Sequence, residues 1–303
     1  MKYPCYPTLL FLLLLVFSAC DNPVEIPPTD AEYEGSGVFT YTDYAPLASQ
    51  PIRVFYHIPE DPGPNTPILF VFHGGDRNGA NYRDAWREQA NQRGFMVFVP
   101  EFSSTYYPGG DAYNLGNVFE DGDNPSASTL NDEPEWTFSI VEPLFLHIKE
   151  AMQNTGRSYK VYGHSAGAQF VHRMLLLKPN NSFGTTVASA SGWYTVPDVG
   201  IRFPYGTGES PAAQSDLSSF FERDLIVMVG ENDSDPNSPG LRRNPTVDLQ
   251  GNNRLERAQH FFQRSQQIAD SLQANFNWRY EALPGVGHDF QPTIRRAAPL
   301  LME

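Results

Sequence analysis

The sequence predicts an α/β fold, with a mostly parallel central sheet and helices on both faces. Three observations predict it. Apolar runs of strand length alternate with helical patterns, which implies βαβ units and parallel pairing. Three of the runs, 68–72, 95–99 and 225–229, are almost wholly apolar, as strands buried on both faces require. Glycine or proline closes these runs, at His73-Gly74-Gly75, at Pro100 and at Gly230. In sheets of this kind reactive groups gather at the C-terminal ends of the strands.

Residues 38–41 and 52–58 alternate with the two-residue period of a strand. After the run 68–72, a helix is predicted over 82–93, with Trp86 and Ala90 on one face and Gly94 as its stop. The run 95–99 then ends at Pro100. Residues 101–133 are polar and rich in Gly, Asn, Asp and aromatics, and read as a loop of a length that compact domains keep for function. The spacing of Ile140, Leu144 and Ile148 predicts a helix over 134–154, with Pro134 at its start. A short strand at 159–162, a helix at 166–177 ending before Pro179, and a strand of small residues at 185–190 follow. Beyond the run 225–229 come the clearest amphipathic helix, 255–272, a last strand, 278–283, and a last helix, 292–302.

Residues 1–19 do not belong to this pattern. Lys2, an apolar stretch from Leu9 to Phe17, and the small pair Ser18-Ala19 have the layout of a secretory signal peptide. The stretch is too short to cross a bilayer, which takes about 20 apolar residues. Phe17-Ser18-Ala19-Cys20 resembles a bacterial lipoprotein box, although Phe17 stands where such boxes usually carry Leu. That resemblance implies lipidation of Cys20 and an exported cell-envelope lipoprotein, periplasmic or on the outer surface, tied to the membrane through its lipid alone. Residues 20–33, with Pro23, Pro27 and Pro28, read as a tether, and 34–303 as one folded domain.

The two cysteines are Cys5 and Cys20, and Cys5 leaves with the signal. The mature chain then has no internal disulfide, and its core must hold it together. A net charge of −14 argues against a nucleic-acid partner, which a basic face would mark, and fits neutral substrates or solubility. No cofactor or metal signature is present: H-E-x-x-H and paired cysteine ligands are both missing. Asp121-Gly122-Asp123 reads as solvated loop charge rather than a calcium site.

Four motifs carry chemistry. Gly163-His164-Ser165-Ala166-Gly167 matches G-x-S-x-G between a predicted strand and a predicted helix, the strand–turn–helix setting that exposes a serine nucleophile. His73-Gly74-Gly75-Asp76 follows a buried strand. The loop there supplies one oxyanion N–H and the residue after the nucleophile the other, which nominates Gly75, with Asp76 as its neighbour option, and Ala166. His73 itself reads as structural. Gly230-Glu231-Asn232-Asp233 follows the run 225–229, and Asp233 is placed to orient a histidine, with Asp235 and Glu231 as competitors. Gly287-His288 follows the last strand and completes the chain order Ser165, Asp233, His288. The one other histidine late enough to compete, His260, falls within a helical pattern.

Together these motifs resemble the α/β-hydrolase superfamily, from about Val38 to the end of the chain. Within it, the chain looks like secreted bacterial esterases related to polyhydroxybutyrate depolymerases and to feruloyl or acetyl-xylan esterases. The resemblance implies hydrolysis of small or polymer-linked carboxylic esters through an acyl-enzyme on Ser165. Those depolymerases often carry disulfides and a cysteine near the oxyanion loop, and this chain has neither, so polymer specificity is not carried over. A serine peptidase or amidase, a thioesterase or lactonase, and a non-catalytic surface binding lipoprotein of the same fold stay open as alternatives. Phe102, Tyr106, Tyr107, Trp136, Trp193 and Tyr194 lie near strand ends, and either line the substrate pocket or pack in the core.

Overall fold

The computed structural model describes Met1 and residues 33–303. The expected signal peptide, Cys20 and all of the tether but Tyr33 lie outside the described residues. Tyr33 packs its ring 5.1 Å from that of Phe39 and 5.0 Å from that of Tyr56.

The described residues form one eight-stranded sheet. Its strands are β1 (Ser36–Tyr41), β2 (Ile52–His57), β3 (Ile68–Phe72), β4 (Met96–Glu101), β5 (Tyr159–His164), β6 (Phe183–Ser189), β7 (Leu225–Gly230) and β8 (Arg279–Leu283). Their spatial order is β1-β2-β4-β3-β5-β6-β7-β8. β2 is antiparallel to β1 and β4, and every other pairing is parallel. The helices are α1 (Gly79–Arg93), α2 (Val141–Ala151), α3 (Ala166–Leu177), α4 (Leu217–Phe221), α5 (Arg254–Leu272) and α6 (Phe290–Leu301).

The apolar runs explain the layering. Successive strand residues point to opposite faces, so a wholly apolar strand needs cover on both. On β3, Leu69 and Val71 join a core with Trp86 of α1 and Ile294 and Ala297 of α6. Ile68, Phe70 and Phe72 join the opposite core, with Leu144 of α2, Phe170 of α3 and Phe261 of α5. The expected α/β class, with helices on both faces, is what forms.

Three expectations need correction, and one helix is additional. The helix predicted over 134–154 begins only at Val141. Trp136 is extended, with ψ 135°, and the Thr137 amide and hydroxyl donate to the carbonyls of Gly116 and Ala112. Tertiary hydrogen bonds to the long loop therefore outweigh helical propensity there, leaving two short 3₁₀ turns at Glu133–Glu135 and Thr137–Ile140. Pro100 does not end its strand, because the β3–β4 ladder already stops at the Phe70–Phe98 pair and leaves the missing N–H beyond it. α1 starts at Gly79, three residues before its predicted start. α4 was not expected; its five residues are capped by Asp216, which accepts from the Ser218 amide.

Candidate active site

Ser165 lies between β5 and α3 with φ 56° and ψ −115°, a conformation that L-residues rarely adopt. Such strain costs about 1–3 kcal/mol and persists only where its surroundings enforce it. Here the Ser165 amide donates to the Ser189 carbonyl of β6 at 2.9 Å, and its carbonyl accepts from the Gln169 amide at 3.1 Å. The two motif glycines make the turn sterically possible. A Cβ on Gly163 would lie 2.4 Å from the Gly167 carbonyl oxygen, and one on Gly167 would lie 2.0 Å from that of Phe72.

The loops after β7 and β8 deliver the other two groups. The Asn232 amide donates to the Val286 carbonyl at 2.8 Å. A Cβ on Gly230 would meet that same oxygen at 2.2 Å, so the loops approach each other only because glycine stands there. Asp233 is buried, while the His288 side chain is 27% exposed and so reaches solvent. His288 Nδ1–H donates to Asp233 Oδ2 at 2.7 Å. This leaves His288 Nε2 as acceptor for the Ser165 hydroxyl, at 3.1 Å. Neither competitor takes the place of Asp233: Asp235 is exposed and accepts from the Asn237 amide, and the Glu231 side chain is exposed.

Ala166 directly follows Ser165 in the chain, and Gly75 belongs to the turn after β3. A Cβ on Gly74 would lie 3.7 Å from the Ser165 Cβ, which brings the His73-Gly74-Gly75 turn close to Ser165. Ala166 is the first residue of α3, where an amide has no intrahelical acceptor. Tyr113, from the long loop, donates its hydroxyl to the His73 carbonyl at 2.7 Å and anchors that turn.

His73, His164 and His172 are also buried, and each is held by hydrogen bonds within the fold. His73 Nε2 accepts from the Phe102 amide at 3.1 Å, so the proton sits on Nδ1 and goes to the Gly74 carbonyl. Burial pushes His73 down to about 3. His172 repeats the pattern, with Nε2 accepting from the Thr195 amide and Nδ1 facing the Ala168 carbonyl. Burial also holds His164 well below the ordinary range, with His288 and Arg254 adding repulsion. The His164 ring lies 4.9 Å from that of His288, and its Nδ1 shares a 2.9 Å hydrogen bond with the Tyr82 hydroxyl.

Arg254, the first residue of α5, was not singled out by its sequence. Its Nη1 lies 3.3 Å from Asp233 Oδ1, and both side chains are 3% exposed. One cue was present: a cation in the first helical turn opposes the helix dipole and asks for an explanation.

The aromatics divide. Phe102, Tyr107, Trp136, Trp193 and Tyr194 are buried, and Tyr106 is exposed. Tyr194 stacks on Phe261, and Phe102 packs among Tyr107, Tyr113 and Phe170, so both belong to the core. Trp193 has the Arg173 guanidinium 4.1 Å and the Arg242 guanidinium 5.1 Å from its ring centroid. Arg242 also pairs with Asp123, which ties the loop after β4 to the loop after β7. Asp121 instead accepts from the Asn124 side chain and the amides of Asp123 and Asn124. A groove of about 440 Å³ between α1 and α6 is lined by residues that include Asp84, Glu88, Phe290 and Arg295, but by none of Ser165, Asp233 and His288.

No family model and no curated protein matches the chain. Solved structures do. Poly(aspartic acid) hydrolase-1 from Sphingomonas sp. KT-1 is 34% identical with a TM-score of 0.84, and the match covers 90% of this chain and 100% of that one. The poly(3-hydroxybutyrate) depolymerase from Bordetella parapertussis is 30% identical with a TM-score of 0.82, covering 88% of this chain and 89% of that one. A fluorophosphonate-binding serine hydrolase of Staphylococcus aureus, at 13% identity and a TM-score of 0.52, shares the fold alone over 89% of this chain and 99% of its own.

Proposed function

This chain belongs to the α/β-hydrolase superfamily and is a hydrolase, and from that premise we propose that it cleaves carboxylic esters through an acyl-enzyme on Ser165. The observation that carries the reading is the continuous hydrogen-bonded series from Ser165 Oγ through His288 to Asp233 Oδ2. In this mechanism Ser165 Oγ attacks the ester carbonyl carbon as His288 Nε2 takes the hydroxyl proton. Asp233 holds the imidazole in the required tautomer and offsets the charge it gains. The Gly75 and Ala166 amides face the oxyanion, each donor worth about 3 kcal/mol in the transition state. His288 returns the proton to the departing alcohol, and water activated by the same imidazole hydrolyses the acyl-enzyme.

A second reading has its own support. The chain is 34% identical to a hydrolase of poly(aspartic acid), so an amide-linked polymer is the alternative substrate to an ester. Parallel rates on short, long and hydroxycinnamoyl esters and on an aspartyl peptide separate the two. The ester reading predicts turnover of at least one ester class, lost on Ser165→Ala by a factor of about 10³ or more. Turnover of the peptide with none of any ester would replace it by the amide reading.

A further inference from the structure

We propose that Arg254 is a positioning residue for Asp233, fixing which carboxylate oxygen faces His288. The inference rests on the Ser165, His288 and Asp233 roles proposed above. Arg254 reaches Asp233 Oδ1 from the side opposite the histidine, while His288 takes Oδ2 at 2.7 Å. A carboxylate held at one oxygen can turn about its Cβ–Cγ bond. One held at both oxygens cannot.

The guanidinium is itself held. Its Nη1 donates to Ser238 Oγ at 2.7 Å, and its Nη2 to the Pro239 carbonyl at 3.4 Å. Its neighbour Leu255 donates its amide to the Asp233 carbonyl at 3.2 Å, so the start of α5 grips both main chain and side chain of the acid. The placement of this cation is unfavourable by itself, because it is buried and sits at the positive end of a helix dipole. Asp233 is the carboxylate that pairs with it. The arrangement therefore makes the acid that orients His288 part of the rigid α5 start rather than of a surface loop.

A purely structural ion pair would predict a loss of stability with turnover per folded molecule unchanged. A positioning role predicts a loss of kcat with KM retained, because substrate binding does not involve Arg254. The test compares wild type, Arg254→Met, Arg254→Lys and Ser238→Ala as full chains. Thermal melting confirms folding, and ester kinetics and fluorophosphonate labelling rates supply the readout. In Arg254→Met, kcat and the labelling rate should fall together by roughly 10- to 100-fold, with KM within about twofold of wild type. Arg254→Lys should recover several-fold of that loss. Ser238→Ala changes a loop residue that holds Arg254, and it should show a smaller fall of the same kind. The proposal is overturned if folded Arg254→Met keeps kcat and labelling within about twofold of wild type, the scatter expected of ordinary surface changes. If Arg254→Met does not fold, wild-type rates in both other variants overturn it. Wild type that does not label at all removes the Ser165 reading and this inference with it, whereas equal labelling of wild type and variants removes the inference alone.

Discussion

Both oxygens of Asp233 have assigned partners, His288 on Oδ2 and Arg254 on Oδ1, and this fixes what an isosteric amide would do. In Asp233→Asn the guanidinium, which only donates, keeps the carbonyl oxygen on its side. The amide NH₂ must then face His288 Nδ1 and force the imidazole proton onto Nε2, where it opposes the serine hydroxyl. Ester kinetics should show a fall in kcat on the order of 10³–10⁴ with the fold intact, and a fall of less than tenfold would contradict the tautomer argument. Of these residues, Ser165 and His288 could be read from motif and chain order. Separating Asp233 from Asp235 and Glu231 needed burial, since three acids in one loop look alike in a sequence. Arg254 was hidden because its partner lies 21 residues away.

The joint of β5 and α3 against β3 depends on glycine at two positions. A methyl group at Gly167 would sit 2.0 Å from the Phe72 carbonyl oxygen, at the end of the strand that leads into the His73-Gly74-Gly75 turn. Gly167→Ala should therefore displace α3 from β3. We expect a loss of about 1–3 kcal/mol in denaturant unfolding, together with slower fluorophosphonate labelling. Unchanged stability and labelling would show that the turn is looser than its contacts imply. The strands and long helices were readable because burial on one or both faces imposes a period on the sequence. The start of α2 was not, because Thr137 finds its hydrogen-bond partners in the loop at Ala112 and Gly116. The short helix α4 was missed because five residues are too few to show a period. The loop at 101–133 was recognised by composition, but not its role in anchoring the His73 turn through Tyr113.

Across the whole molecule, three fully buried histidines enter the fold neutral, and this gives stability a pH dependence of definite sign. Burial depresses His73 to about 3 and holds His164 and His172 well below 6.5. Below pH 6.5 the unfolded chain takes up protons that the folded chain cannot, so stability is complete above that pH and is lost as pH falls toward the folded values. Each imidazole contributes up to about 1.4 kcal/mol of loss per pH unit. Melting temperature should therefore drop between pH 7 and pH 5, mostly above the range in which carboxylates titrate. A constant melting temperature across that interval would mean that these imidazoles are not buried as neutral groups.

The two cores, one on each face of the sheet, make the hydrolase frame, and the strand ends carry the groups proposed to act. Whether those groups form an activated serine is decided by treating the purified protein with a fluorophosphonate probe, beside Ser165→Ala, and mapping any adduct by mass. The account predicts one adduct on wild type, located at Ser165, and none on the variant. A folded wild-type chain that stays unlabelled, or a Ser165→Ala chain labelled as fast as wild type, would contradict it.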